Sequence, residues 1–106
     1  MVELDNERDV LRLAIKTFGE ERQLTVATEE LSELIKEICK RRRGYDNRAE
    51  MLEEIADCYI MLEQIVMMMG IEQNDVSQMI NQKCSKLARY IAKELGKDRL
   101  KNERGN

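Results

Sequence analysis

Apolar side chains recur at helical spacing in four stretches of the chain, and each stretch ends next to a glycine. The stretches cover about residues 5–18, 21–43, 46–69 and 75–95, and the glycines follow at positions 19, 44, 70 and 96. Spacings of three and four residues are typical of an amphipathic α-helix, and a glycine commonly ends one. We therefore predict an all-α fold, a compact antiparallel four-helix bundle, in one domain spanning residues 1–106 with 97–106 as a frayed tail.

The composition agrees with helices and argues against several partners. The chain has 106 residues, 42% of them hydrophobic, and no proline, which suits one helical domain. A net charge of −3 gives no large positive field, so nucleic acid is not an expected partner. No apolar run reaches the ~18 residues that a membrane span needs. Three cysteines without any histidine do not make a zinc set. We expect a soluble, cytoplasmic protein with reduced thiols.

The third stretch is apolar on nearly all sides, with only Glu53, Glu63 and Gln64 forming a narrow polar strip. A helix that is apolar all round is normally covered on both sides. In a chain of this size the second cover is most simply another subunit, so we expect a dimer or tetramer, with the methionines at 67–69 near a contact. A methionine-rich helix end inside a monomer core is the alternative.

Two helices each carry a pair of acids at the margin of an apolar face. Glu54 and Asp57 lie in the apolar third stretch, about 60° apart on the helix. Glu30 and Glu33 have the same spacing on the second stretch, and Glu37 extends their row. Burying ionised carboxylates beside each other is costly unless protons, basic partners or a metal ion neutralise them. If the two helices pack antiparallel, Glu30, Glu33, Glu54 and Asp57 can converge on one pocket.

Such a group of carboxylates predicts a hard divalent cation, Mg²⁺ or alternatively Mn²⁺. Because the chain has no histidine, the Glu-x-x-His pattern of di-iron bundles is excluded. Mg²⁺ commonly shares phosphate oxygens with a substrate, which points to phosphate-ester or anhydride chemistry. The competing interpretation is an ordinary solvated face, since glutamate-rich helices often contain Glu-x-x-Glu.

The same residues resemble the signature of the MazG-like all-α nucleoside triphosphate pyrophosphohydrolases, which are related to dCTP pyrophosphatases and dimeric dUTPases. That family carries Glu-Glu-x-x-Glu on one helix and Glu-x-x-Asp on the next. Here Glu29-Glu30-Leu31-Ser32-Glu33 and Glu54-Ile55-Ala56-Asp57 match both motifs. The resemblance covers about residues 20–95.

The resemblance implies hydrolysis of a nucleoside triphosphate between its α- and β-phosphates, giving a monophosphate and pyrophosphate. Glu30, Glu33, Glu54 and Asp57 would be the magnesium ligands and catalytic residues, with Glu33 as the general base. Glu29 points away from the apolar stripe, and it either supports the metal ligands from behind or is merely exposed.

Residues of the fourth stretch are candidates for binding the substrate. Lys83, Lys86 and Tyr90 share one flank of that helix, and similar family members carry basic residues there for phosphate. Lysines at helix margins also commonly leave their charge in water. Tyr45 and Phe18 are possible partners for stacking on a base, and the choice of nucleotide stays open.

Two other function classes compete with the enzyme. A non-catalytic helical interaction or regulatory module would keep the same fold, with or without the metal site, but would have no turnover. A plain coiled-coil protein would place its charges beside a strict seven-residue repeat, whereas the third stretch places acids in the apolar face.

Overall fold

The structure, a computed structural model, describes residues 4–104 of the chain. They form four helices and, within that range, no strand. The helices are α1 (Leu4–Phe18), α2 (Glu20–Arg42), α3 (Arg48–Met69) and α4 (Gln73–Arg104). The predicted all-α fold class is confirmed, and the first three helices end within about two residues of their predicted positions.

The turn after α3 shows why glycine is suited to a helix end. Gly70 has φ +66° in the left-handed region, where a residue with a Cβ is strained. Its N–H donates to the Met67 carbonyl at 3.2 Å, and the N–H of Ile71 donates to the Val66 carbonyl at 3.1 Å. These bonds satisfy carbonyls that the helix itself leaves free.

Helix α4 does not end at the fourth glycine, so the predicted end at position 96 is wrong. The helix continues through Gly96 to Arg104, and residues 97–104 of the predicted frayed tail are helical. A glycine inside a helix costs ~1 kcal/mol relative to alanine, which good helix formers on either side can offset. Lys97 and Glu94 also form an ion pair across this glycine at 3.3 Å. Positions 105 and 106 lie outside the described residues.

The chain divides into two compact units, Met1–Ile71 and Glu72–Asn106. The first contains α1, α2 and α3, and the second contains α4. Within the first unit α2 packs along α3, and α1 contacts both. A single domain and a complete four-helix bundle stay predictions.

Hydrogen bonds between α2 and α3 show that these helices run antiparallel. Gln23 donates to Gln64 at 2.8 Å near the start of α2, and the Cys58 thiol donates to the Glu30 carbonyl at 3.5 Å further along. At the loop end, Asn47 donates to the Glu37 carbonyl at 2.8 Å. As the residue number rises on α2 it falls on α3, so the two acid-bearing segments lie side by side.

The face that α2 turns toward α3 differs from the apolar stripe that the sequence predicts. Gln23, Ala27 and Glu37 are buried on α2, whereas Leu24 and Ile35 of the apolar stripe are 48% and 62% exposed. The helix is therefore rotated so that its polar margin, rather than the centre of its apolar stripe, faces α3. This rotation carries Glu30 and Glu37 into the seam between the two helices, while Glu33 stays exposed.

The outer face of α3 is apolar and exposed in the single chain. Leu52, Tyr59 and Leu62 are each half exposed or more, while Cys58 and Met61 on the inner face are buried. The predicted all-round apolar character of this helix is thus seen on both faces. Within the described range no helix combines the length and the apolar run that crossing a membrane requires.

Candidate metal centre

Three carboxylates from two helices come together in the seam between α2 and α3. Glu30 lies on α2, and Glu54 and Asp57 lie one turn apart on α3. One oxygen of each can be chosen so that all three lie within 4.8 Å of one another, and each residue is half-buried. The predicted convergence therefore holds for these three residues.

Local packing fixes the position of the three acids. The Gln23–Gln64 hydrogen bond is buried and joins the two helices two turns from Glu30 on α2. Cys58 is buried directly beside Asp57 in sequence, and its thiol contacts the Glu30 main chain. Since these contacts hold the backbones of both helices, the carboxylates are brought close before any ligand binds.

The environment raises the pKa of two of the carboxyl groups. The pKa of Glu30 lies above its ordinary value of 4.5 mainly because burial penalises the charged form, and then because of the Asp57 charge and a side-chain hydrogen bond to Asp57. The pKa of Glu54 is raised first by burial and then by the charges of Asp57 and Glu33. Burial, and after it the neighbouring negative charges, therefore favours the neutral form of these two carboxyl groups.

No basic side chain in the described part of the chain forms an ion pair with Glu30, Glu54 or Asp57. One oxygen of Glu54, Oε2, is buried and has no hydrogen-bond partner. A set of oxygen donors that lacks a positive partner fits a hard divalent cation. These residues could thus hold Mg²⁺ or Mn²⁺.

Glu33, the fourth predicted ligand, is not part of this three-carboxylate group. Its side chain is 52% exposed and lies 4.0 Å from the Lys36 ammonium group. It is nevertheless near, because its charge contributes to the raised pKa values of Glu30 and Glu54. Its roles as ligand and general base stay predictions. Glu29 is exposed, as its predicted outward direction requires.

Sequence reasoning placed Glu37 on the acid row but gave it no role, and the structure buries it. Its side chain is only 7% exposed, and one oxygen pairs with Lys40 at 3.5 Å. The buried Gln23 was missed, and Gln64, which the sequence assigns to the narrow polar strip of α3, is buried instead. The sequence signal that could have found them is their spacing: Gln23 lies two helical turns before Glu30, and Gln64 lies two turns after Asp57.

The predicted substrate-binding residues are exposed positions of α4. Lys83, Lys86 and Tyr90 lie three and four residues apart and so share one helix face. Their part in phosphate binding stays a prediction.

The two aromatic candidates for base stacking are also exposed. Tyr45 is 59% exposed and lies under the Arg43 guanidinium at 5.7 Å, and Phe18 is 50% exposed under Arg22 at 4.9 Å. Both rings therefore have an open face and a cation beside them.

Comparison of the chain with the models of known protein families, with curated proteins and with solved structures finds no match. The resemblance to MazG-like enzymes stays an expectation from the two acidic motifs of the sequence.

Proposed function

We propose that this chain is a Mg²⁺-dependent nucleotide pyrophosphohydrolase of the MazG-like type, cleaving ribo- or deoxyribonucleoside triphosphates between the α- and β-phosphates. The supporting observation is the approach of Glu30, Glu54 and Asp57 to within 4.8 Å without a basic partner. Carboxylates so arranged favour a hard cation, and Mn²⁺ would serve in place of Mg²⁺.

The chemistry divides among named residues of the chain. Glu30, Glu54 and Asp57 hold the cation, which supplies charge neutralisation for the phosphates and polarises the scissile anhydride when bound. Glu33 lies next to this group and is partly in solvent, so its carboxylate is placed to accept a proton from an attacking water. Lys83 and Lys86 provide positive charge for the phosphate chain, with Tyr90 on the same face.

The proposal includes the assembly and the place of the protein. The exposed apolar face of α3, with Leu52, Tyr59 and Leu62, would be covered in a homodimer or homotetramer. The expected compartment is the cytoplasm, where reduced thiols and nucleotide substrates occur together.

An assay with individual nucleotides tests the proposed reaction. Each common ribo- and deoxyribonucleoside triphosphate is incubated with the protein and Mg²⁺, and nucleoside monophosphate and pyrophosphate are measured. We expect turnover of at least one nucleotide, its loss in Asp57→Asn, and its retention in Glu29→Gln, which removes an exposed acid beside the site. Release of inorganic phosphate instead of pyrophosphate would contradict the proposed position of cleavage.

A helical interaction module is the second candidate, and the exposed apolar face of α3 favours it. It predicts that the chain binds Mg²⁺ but hydrolyses none of the nucleotides. Measuring metal binding and turnover on the same preparation separates the two functions.

A further inference from the structure

Positive charge is concentrated where α2 ends and α3 begins. Positions 40–48 hold five basic residues and one acid, whereas the rest of residues 1–71 holds five basic residues and fifteen acids. Because α2 and α3 run antiparallel and a short loop joins them, these basic residues lie at one end of the packed helix pair. This end can therefore attract an anion, although the chain has a net charge of −3.

Three of the five basic residues have no acidic partner. The other two pair with nearby acids, at 3.5 and 3.8 Å. Arg42, Arg43 and Arg48 are exposed and form no ion pair with another residue of the described range 4–104. An arginine presents its N–H groups in a planar fork that fits two oxygens of a phosphate. Three such forks are thus available to a ligand.

The position of Arg48 is unfavourable for the helix that begins with it. Basic residues in the last turn of α2 have an ordinary explanation, because positive charge stabilises a helix C-terminus. Arg48 is instead the first residue of α3, where the helix dipole disfavours a cation. The Asn47 side chain donates to the Glu37 carbonyl and does not cap α3. A bound anion would offset the charge of Arg48 and accept from the uncapped N–H groups.

The loop also contains an aromatic ring that is arranged for stacking. The central carbon of the Arg43 guanidinium lies 5.7 Å from the centroid of the Tyr45 ring, within the ~6 Å of a cation–π contact. The ring is nevertheless 59% exposed. The Tyr45 N–H donates to the Lys40 carbonyl at 3.2 Å, which holds the ring beside the end of α2. Since nucleotide bases stack on such rings, the three arginines and Tyr45, here called the loop surface, fit a base that is linked to a phosphate.

The loop surface is separate from the metal centre. Arg42 lies twelve residues after Glu30, which is ~18 Å along α2 and about 120° around its axis. This separation is longer than a triphosphate chain, so phosphates that bind at the carboxylates do not reach Arg42. A ligand of the loop surface also needs no metal cation, because the arginines supply the positive charge.

The loop surface matches one nucleotide better than a long strand. It has a single aromatic ring, and acids outnumber basic residues in the rest of residues 1–71, so a polyanion that extends beyond the loop is repelled. We propose that the loop surface binds a free nucleotide without metal, with the arginines on the phosphate and Tyr45 stacked on the base. This inference goes beyond the proposed function and does not depend on it.

The test titrates the full ¹⁵N-labelled chain with adenosine 5′-monophosphate (AMP) in the presence of EDTA, and follows the amide signals by nuclear magnetic resonance. We expect saturable shifts centred on residues 41–49. AMP should bind at least about tenfold more tightly than ribose 5-phosphate, which lacks the base, or adenosine, which lacks the phosphate. Tyr45→Ala and Arg43→Gln should each weaken AMP binding by about tenfold.

Arg22→Gln is the matched control. Arg22 forms the same kind of contact with Phe18, at 4.9 Å, near the start of α2, and its replacement changes the net charge equally. This variant should bind AMP as the wild type does. Circular dichroism checks that each variant keeps its helices.

Several results would overturn the inference. Absence of AMP binding would do so, as would equal weakening in Arg43→Gln and Arg22→Gln, which would show a general effect of charge. Ribose 5-phosphate that binds as tightly as AMP would mean that the ring has no part in binding. A single-stranded oligonucleotide that binds much more tightly per nucleotide than AMP would assign the surface to nucleic acid. Because the titration contains no metal, each of these results leaves the proposed pyrophosphohydrolase activity in place, and absence of that activity leaves the loop surface in place.

Discussion

Replacing Asp57 by asparagine removes one negative charge from the metal centre and keeps the size of the side chain. The oxygens of Asp57 and Glu30 lie within 4.8 Å. Coulomb's law gives ~0.9 kcal/mol of repulsion at this distance with the dielectric constant of water, and this low value suits a half-exposed pair. In the metal-free protein this repulsion destabilises the folded chain but not the unfolded chain. Asp57→Asn should therefore make the metal-free protein more stable.

The expected shift is measurable by thermal unfolding near neutral pH. A gain of ~1 kcal/mol corresponds to an increase of about 4–8 °C in Tm for a domain of this size. In the wild type, a cation at about 100 times its Kd adds ~2.7 kcal/mol, and Asp57→Asn should lose most of that gain. The two proteins should thus exchange their order of stability when saturating Mn²⁺ is added.

Glu29→Gln is the matched control, since it removes an exposed acid next to Glu30 without altering the three-carboxylate group. It should retain the Mn²⁺ response of the wild type. Equal Tm values for wild type and Asp57→Asn without metal, together with equal responses to Mn²⁺, would refute the reasoning.

Three further predictions concern the surroundings of the site. The pKa of Glu30 is raised above 4.5, so without metal the folded chain binds a proton on this carboxyl group more tightly than the unfolded chain does. The urea midpoint of the metal-free protein should therefore rise as pH falls from neutral toward 4.5. Glu30→Gln should weaken that rise. An unchanged slope would count against crowding at Glu30. Gln64→Leu leaves Gln23 buried without its partner and should cost ~1–3 kcal/mol in urea unfolding, whereas replacing both by leucine should be nearly neutral; equal losses would show that the bond is unimportant. Cys39 is exposed, whereas burial raises the pKa of the Cys58 thiol. A thiol reagent should therefore modify Cys39 much faster than Cys58. Equal rates of modification would place Cys58 at the surface.

The helices could be predicted from the sequence because their signals are local. Glycine after each of the first three apolar stretches matches the observed ends of α1, α2 and α3. The fourth glycine is a weak signal by itself, since a helix tolerates Gly96 when good helix formers follow it.

The composition of the candidate site was only partly predictable. Glu54 and Asp57 stand out because they interrupt an apolar helix, and the i, i+3 spacing of Glu30 and Glu33 suggested their partners. The periodicity of apolar residues identifies the apolar face of a helix, but not the neighbour that covers it. It also leaves the rotation of the helix about its own axis uncertain by about 60°. That uncertainty separates Glu30, which joins the group, from Glu33, which pairs with Lys36.

The buried Glu37 could not be ranked above the other acids from the sequence. Its burial depends on the rotation of α2 and on the hydrogen bond from Asn47 at the loop, both of which are tertiary features. The sequence only shows that it continues the row of Glu30 and Glu33.

Anomalous diffraction from crystals of the full chain grown with Mn²⁺ tests the central claim most directly. The account predicts a strong anomalous peak between the carboxylates of Glu30, Glu54 and Asp57. Ordered carboxylates without such a peak, at a Mn²⁺ concentration that supports binding in solution, would contradict it.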